Sequence, residues 1–69
     1  MSYVAEEARA LGKRMLSRRY DDPPHSIMTI DAAIDELAAL RRVAVDSEDV
    51  QALREVLGEF TEVRERLDS

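Results

Sequence analysis

The chain has no cysteine, and it has a single histidine, His25. These absences exclude disulfide bonds, thiol chemistry and a histidine-rich metal site. Small domains that lack such supports are stabilised by tight helix packing or by self-association. The point matters for a chain of 69 residues, because a domain of about 60 residues buries only about 60% of its unfolded surface. We therefore expect one domain, residues 1–69, held together by helix packing or by oligomerisation.

Aromatic residues are almost as scarce, since Tyr3, Tyr20 and Phe60 are the whole set. The cores of β-sandwiches draw on aromatic and β-branched residues, so a sandwich fold is disfavoured. Glycine and proline are also few, with two of each, while 45% of the residues are hydrophobic and 36% are charged. This balance is typical of a folded helical domain and not of a disordered chain.

Long apolar runs are missing as well. A membrane-spanning helix needs about 20 mostly apolar residues, and no segment approaches that length. The first residues also lack the basic segment followed by an apolar stretch that marks a signal peptide. We therefore expect a cytoplasmic protein.

What the chain does have is helical periodicity. Apolar residues recur every three or four positions in three segments, which predicts helices at about residues 2–20, 27–44 and 47–67. The break between the second and third helices is short, and short loops join antiparallel neighbours. The predicted fold is an all-α three-helix bundle, in which the second and third helices form an antiparallel hairpin and the bundle dimerises.

The two breaks carry candidate helix caps. Residues 21–26 are the clear linker, stiffened by consecutive prolines. Ser26 or Thr29 is predicted to cap the second helix, because either hydroxyl can accept a hydrogen bond from a free backbone N–H. Asp46 or Ser47 is predicted to cap the third helix in the same way.

The second and third helices share a seven-residue apolar pattern. Its central members are predicted to form the core of the hairpin: Ile34, Leu37, Leu53, Leu57 and Phe60. A second apolar ridge lies beside this pattern on the third helix. Either the first helix covers that ridge within one core, or the ridge contacts another protein. We favour the external contact and predict that it uses Val56, Phe60, Val63 and Leu67.

Charge is distributed unevenly along the chain. Residues 9–19 contain five basic residues and no acidic one, although the chain as a whole has a net charge of −5. On a helix these side chains line one side, and Arg14 and Arg18 are the candidate interaction residues among them. The basic face either binds a polyanion such as nucleic acid or pairs with the acidic hairpin. We favour pairing, because no aromatic residues are interleaved to stack on bases.

Sites with more specific chemistry are not indicated. A helix-turn-helix is disfavoured, because Glu48 and Asp49 would meet phosphates where recognition helices carry basic and amide groups. Asp21, Asp22 and His25 would make a poor zinc cage with two prolines between them. The chain has no nucleophile elbow, glycine-rich phosphate loop or zinc-protease signature. We therefore predict no catalytic, cofactor-binding or metal-binding residue.

Residues 30–37, in the order Ile-Asp-Ala-Ala-Ile-Asp-Glu-Leu, resemble the isoleucine–aspartate pattern of the all-helical chorismate mutases. The resemblance covers eight residues and implies no more than an all-helical class. The substrate contacts of those enzymes have no matching positions in this sequence, so the resemblance implies neither an activity nor a site residue. An enzyme that uses helix-borne arginines on an anionic substrate would need a concave site formed across a dimer.

These observations together predict a small non-enzymatic protein–protein interaction module. It would be an adaptor, an inhibitor or a regulatory subunit, including antitoxin-like and phage-accessory types. The expected partner is a second copy, another protein, or both, with no membrane and no evident small-molecule substrate. The alternative function is a polyanion or nucleic-acid binder that acts through the basic face of the first helix.

Overall fold

The computed structural model describes residues 3–17 and 23–68. For residues 23 and 24 it describes the backbone only. These residues form three α-helices, α1 (Tyr3–Leu16), α2 (Pro23–Arg42) and α3 (Ser47–Asp68), with no strand in the described ranges. The molecule is 36 Å long, and a helix of 22 residues measures about 33 Å, so α3 runs along most of this length. The predicted all-helical bundle is therefore confirmed.

The helix α2 begins at Pro23, four residues before the predicted start. Proline suits the first helical turn, because its fixed φ is helical and its missing N–H would have no partner there. Ser26 and Thr29 thus lie inside the helix, and the prediction that one of them caps it is wrong. The Thr29 hydroxyl instead donates to the carbonyl of His25 at 3.0 Å.

The loop between α2 and α3 ends one helix tightly and caps the next. The amides of Val43 and Ala44 donate to carbonyls three residues earlier, at 3.1 and 3.3 Å, which closes the last turn of α2 at Arg42. Of the two predicted caps for α3, Asp46 has the capping geometry, since its Oδ1 accepts from the amide of Asp49 at 3.0 Å.

Asp49 stabilises the same turn from inside the protein. Its Oδ2 accepts a hydrogen bond from the amide of Val45 at 3.3 Å, so side chains bond across the helix start in both directions. The residue is only 3% exposed, and its Oδ1 has no hydrogen-bond partner among the described residues. Burying a carboxylate costs free energy unless it is hydrogen-bonded. The hydrogen bonds of this turn offset part of that cost and fix its conformation.

All three helices contribute to one core. The predicted apolar stripe of α1 is buried, and it packs more extensively on α3 than on α2. The two helices approach closely at Gly12, where an added Cβ would lie 3.1 Å from Cγ1 of Val56. The larger buried side chains of this core are Val4, Leu11, Met15, Ile30, Leu37, Leu53, Val56 and Phe60.

Leu57 departs from its predicted place at the centre of this core. It is 41% exposed, whereas Phe60 is completely buried and Val56 is only 6% exposed. The cause is the position of α1, which covers the Val56 side of α3. The buried side of α3 is therefore centred nearer to Val56 and Phe60 than to Leu57. The prediction of Leu57 as a core residue is wrong, and Ile34 is only partly buried.

Candidate protein-docking surface

Two rows of residues with seven-residue spacing lie on the outside of α2 and α3. Of the residues three positions after them, Ile30, Leu37, Leu53 and Phe60 are buried, and Ala44 and Leu67 are partly buried. Seven residues are almost two helical turns, so each row stays on one side of its helix. The rows are partly buried or exposed, and they consist of Ile27, Ile34 and Arg41 on α2 and Val50, Leu57 and Arg64 on α3.

An open groove of about 330 Å³ separates the two rows. Its floor is formed by the buried Leu37 and Leu53, and its walls by more exposed aliphatic side chains. No residue of α1 lines it, so the groove faces away from the helix that covers the rest of the core. The lining residues are Ile34, Leu37, Ala38, Arg41, Val50, Leu53, Arg54 and Leu57.

An ion pair connects the two helices on one side of this groove. Nε of Arg64 donates to Oδ1 of Asp31 at 2.7 Å, and both side chains are about half exposed. This hydrogen bond and the negative charge of Asp31 raise the pKa of Arg64 above its ordinary value, with a smaller contribution from Asp68. The Arg64 guanidinium therefore stays charged under all ordinary conditions.

The opposite end of the groove carries positive charge without partners. Arg41 and Arg54 line the groove there and are exposed. Neither forms an ion pair with a residue in the described ranges. In a chain with fifteen acidic and ten basic residues, these two arginines leave positive charge beside an apolar groove.

The six predicted interaction residues do not form one surface in the described part of the chain. Val56 and Phe60 lie inside the core, and Val63 and Leu67 pack against it while partly buried. Arg14 is exposed on α1, and Arg18 lies outside the described residues. The four apolar members are therefore occupied by contacts within the chain, in the single-core arrangement that sequence analysis left open.

The basic face of α1 lies beside acidic side chains of the other helices. Nη1 of Arg9 is 3.9 Å from Oε1 of Glu48, and Nη2 of Arg14 is 4.0 Å from Oε2 of Glu36. All four side chains are more than half exposed, so these pairs contribute little to stability. They do neutralise part of the basic face. Arg18 and Arg19 belong to this face by sequence and lie outside the described ranges.

The described residues give no support for a metal site or a membrane-spanning helix. No group of three histidine, aspartate or glutamate side chains converges within residues 3–17 and 25–68. Of the loop considered for zinc, His25 is exposed on α2, and Asp21 and Asp22 lie outside the described residues. No helix in the described part of the chain has the length and apolar character needed to cross a membrane.

Comparisons with models of protein families, with curated proteins and with solved structures give no match. Sequence reasoning missed the groove between α2 and α3 because it assigned Ile34 and Leu57, the central residue of each row, to the core. The sequence feature that could have indicated a surface is the arginine in each row, Arg41 and Arg64. Arginine is rarely buried, so a row that contains one is better suited to the surface than to the core.

Proposed function

We propose that the protein is a small non-enzymatic protein–protein interaction module whose docking surface is the groove between α2 and α3. The observation that carries this proposal is Leu57, which is 41% exposed at the wall of an apolar groove. Apolar patches rimmed by polar residues mark interaction sites on soluble proteins. An adaptor, an inhibitor or a regulatory subunit would use such a groove to hold one helix or one pair of helices.

The proposal takes α2 and α3 as an antiparallel hairpin. Asp31, early in α2, bonds to Arg64, late in α3. Arg41, late in α2, lines the groove together with Val50, early in α3. The connection between the helices is only residues 43–46, which suits antiparallel neighbours. The groove then runs along the hairpin, and a partner helix could lie in it lengthwise.

A non-enzymatic role fits the chemistry of the groove walls. Six of the eight lining residues are aliphatic or alanine, and the other two are arginines. Arginine remains charged under all ordinary conditions and is a poor general acid or base. The walls thus offer apolar contact and two cationic anchors, which suit recognition of a partner better than proton transfer or nucleophilic attack.

The alternative of a polyanion binder is weakened by the charges around α1. Arg9 and Arg14 both have a carboxylate within 4.0 Å, so part of the positive potential is already neutralised. A phosphate-binding face would lose affinity steeply as salt increases. Binding through the apolar groove, with only a few charges at its rim, would weaken much less with salt, so a titration in increasing salt separates the two functions.

Site-specific photo-cross-linking tests the proposal directly. A photoreactive phenylalanine analogue replaces Leu57, which is already exposed and so leaves no cavity. The matched control carries the same analogue at Glu59, an exposed residue about 200° further round α3. In the native host, we expect protein adducts from position 57 and few from position 59. Equal labelling at both positions, or no protein adduct at position 57, would contradict the proposal.

A further inference from the structure

We infer that the occupant of the groove is a second copy of this chain, docked face to face and reversed end to end. The inference rests on the proposed function and names its partner. Leu57, Ile34 and Val50 remain open to solvent in a chain of 69 residues, and chains of this size commonly rely on association for stability. A two-fold dimer would cover the groove of both copies with one contact, because such an interface uses the same patch on each subunit.

The distribution of charge along the groove favours a second copy. At one end of the hairpin, Arg64 of α3 is already paired with Asp31 of α2, and Asp68 also acts on the charge of Arg64, so two carboxylates stand there against one guanidinium. Arg41 and Arg42 lie at the other end, and Arg54 lies in the same half of the hairpin; none of the three forms an ion pair with a residue in the described ranges. One end of this surface is thus net acidic and the other net basic. An acidic helix from another protein would satisfy the basic end but would face repulsion at the acidic one.

The same distribution selects the orientation. If the two copies aligned their like ends, Arg41 and Arg54 of both copies would gather at one end of the interface, and like charges brought together cost free energy. If one copy is reversed, the basic end of each lies against the acidic end of the other. The aliphatic stems of the arginines can then cover apolar surface while their charged groups reach carboxylates.

The seven-residue rows are compatible with this reversal. In an antiparallel hairpin, Ile34 lies level with Leu57, Ile27 with Arg64, and Arg41 with Val50. The central level is aliphatic, and each outer level has one aliphatic residue and one arginine. A two-fold axis through the central level, perpendicular to the helices, places Leu57 opposite Leu57 of the second copy and exchanges the two outer levels. This is the seam of an antiparallel four-helix bundle.

Charge reversal tests the dimer. Sedimentation across roughly a hundredfold range of concentration should show the unmodified chain as a reversible dimer. The variant R41E/R54E makes both ends acidic, so its dissociation constant should rise by about tenfold or more. The control R41K/R54K keeps both charges and should stay close to the unmodified chain. A monomer at all concentrations for the unmodified chain, or equal association of R41E/R54E, would overturn the inference.

Disulfide trapping tests the orientation, and the absence of native cysteine makes the result unambiguous. In the reversed dimer, Leu57→Cys should cross-link readily to itself, as should Ile34→Cys. The control Glu59→Cys should cross-link poorly. If the like ends align instead, Leu57→Cys would pair with Ile34→Cys in a mixture of the two, and that product in excess over the self-linked ones would overturn the reversed arrangement.

The two proposals fail in different ways. Adducts from position 57 to a different protein, combined with a monomer in sedimentation, would leave the docking surface standing and remove the second copy. A dimer that is unaffected by R41E/R54E and does not cross-link through Leu57→Cys would remove the second copy as the occupant, because association would then use another surface. The docking surface itself would fall only if position 57 also gave no protein adduct.

Discussion

At the scale of the residue, the solvent exposure of Leu57 and Phe60 differs more than their neighbouring positions on α3 imply. Phe60 is fully buried, whereas Leu57 is 41% exposed. Three residues correspond to a rotation of about 300° on a helix, so their side chains differ in direction by only 60°. That difference is enough, because α1 and α2 together cover one side of α3 and leave the adjoining strip of its surface open.

The first prediction uses this contrast. Phe60→Ala should lower the free energy of unfolding by about 3–5 kcal/mol, because it removes a buried aromatic side chain and leaves a cavity. Leu57→Ala should cost less, about 1 kcal/mol, because a large part of this side chain is already in contact with water. Urea denaturation at a concentration where both variants are monomeric measures the two values. Similar losses for both variants would show that Leu57 is part of the core.

The cap of α3 gives a second prediction at this scale. Asp46→Ala removes the acceptor of the Asp49 amide at 3.0 Å, and loss of a helix cap costs about 1 kcal/mol. Ser47→Ala is the matched control, since Ser47 is the first residue of α3 and its hydroxyl makes no hydrogen bond with a described residue. If thermal unfolding showed equal destabilisation by both substitutions, Asp46 would not be the cap.

At the scale of the element, the sequence predicted the helices well and their contacts less well. Apolar periodicity located all three helices, because it reports which side of each helix avoids water. It could not tell which side of α3 would meet α1, since Val56 and Leu57 are both aliphatic and lie on adjacent ridges. The deciding feature is Gly12, whose missing side chain lets α1 approach Val56 closely. A glycine inside a helix has no apolar signal of its own.

The two glycines therefore give opposite predictions. Gly58→Ala should stabilise the protein by about 0.5–1 kcal/mol, because glycine is a poor helix former and nothing lies within 4 Å of the added Cβ. Gly12→Val should destabilise it by about 1–3 kcal/mol, because the new side chain would overlap Val56 in a packed core. Chemical denaturation of the two variants side by side checks the sign of each effect. A stabilising Gly12→Val would mean that α1 does not pack on α3 at this point.

At the scale of the whole molecule, the charges sort into two groups. The basic residues of α1 lie beside acidic residues of α2 and α3, as Arg14 does with Glu36 at 4.0 Å. The arginines at the end of the groove, Arg41 and Arg54, have no such neighbours in the described ranges. The sequence could thus predict that the site is apolar, but not which arginines beside it lack a partner. Unpaired charge depends on the three-dimensional neighbours of each arginine, whereas the excess of apolar residues is visible in composition.

Stability and association are linked in a protein of this size, and the last prediction follows from that link. If a second copy fills the groove, folding and dimerisation share the same apolar contacts, so the midpoint of thermal unfolding should rise with chain concentration. In R41E/R54E the copies repel each other along the groove, so its midpoint should lie lower than that of the unmodified chain at each concentration. Calorimetry of both proteins over the same concentration range makes the comparison. A midpoint of the unmodified chain that does not change with concentration would mean that each chain folds alone and that its groove serves a different partner.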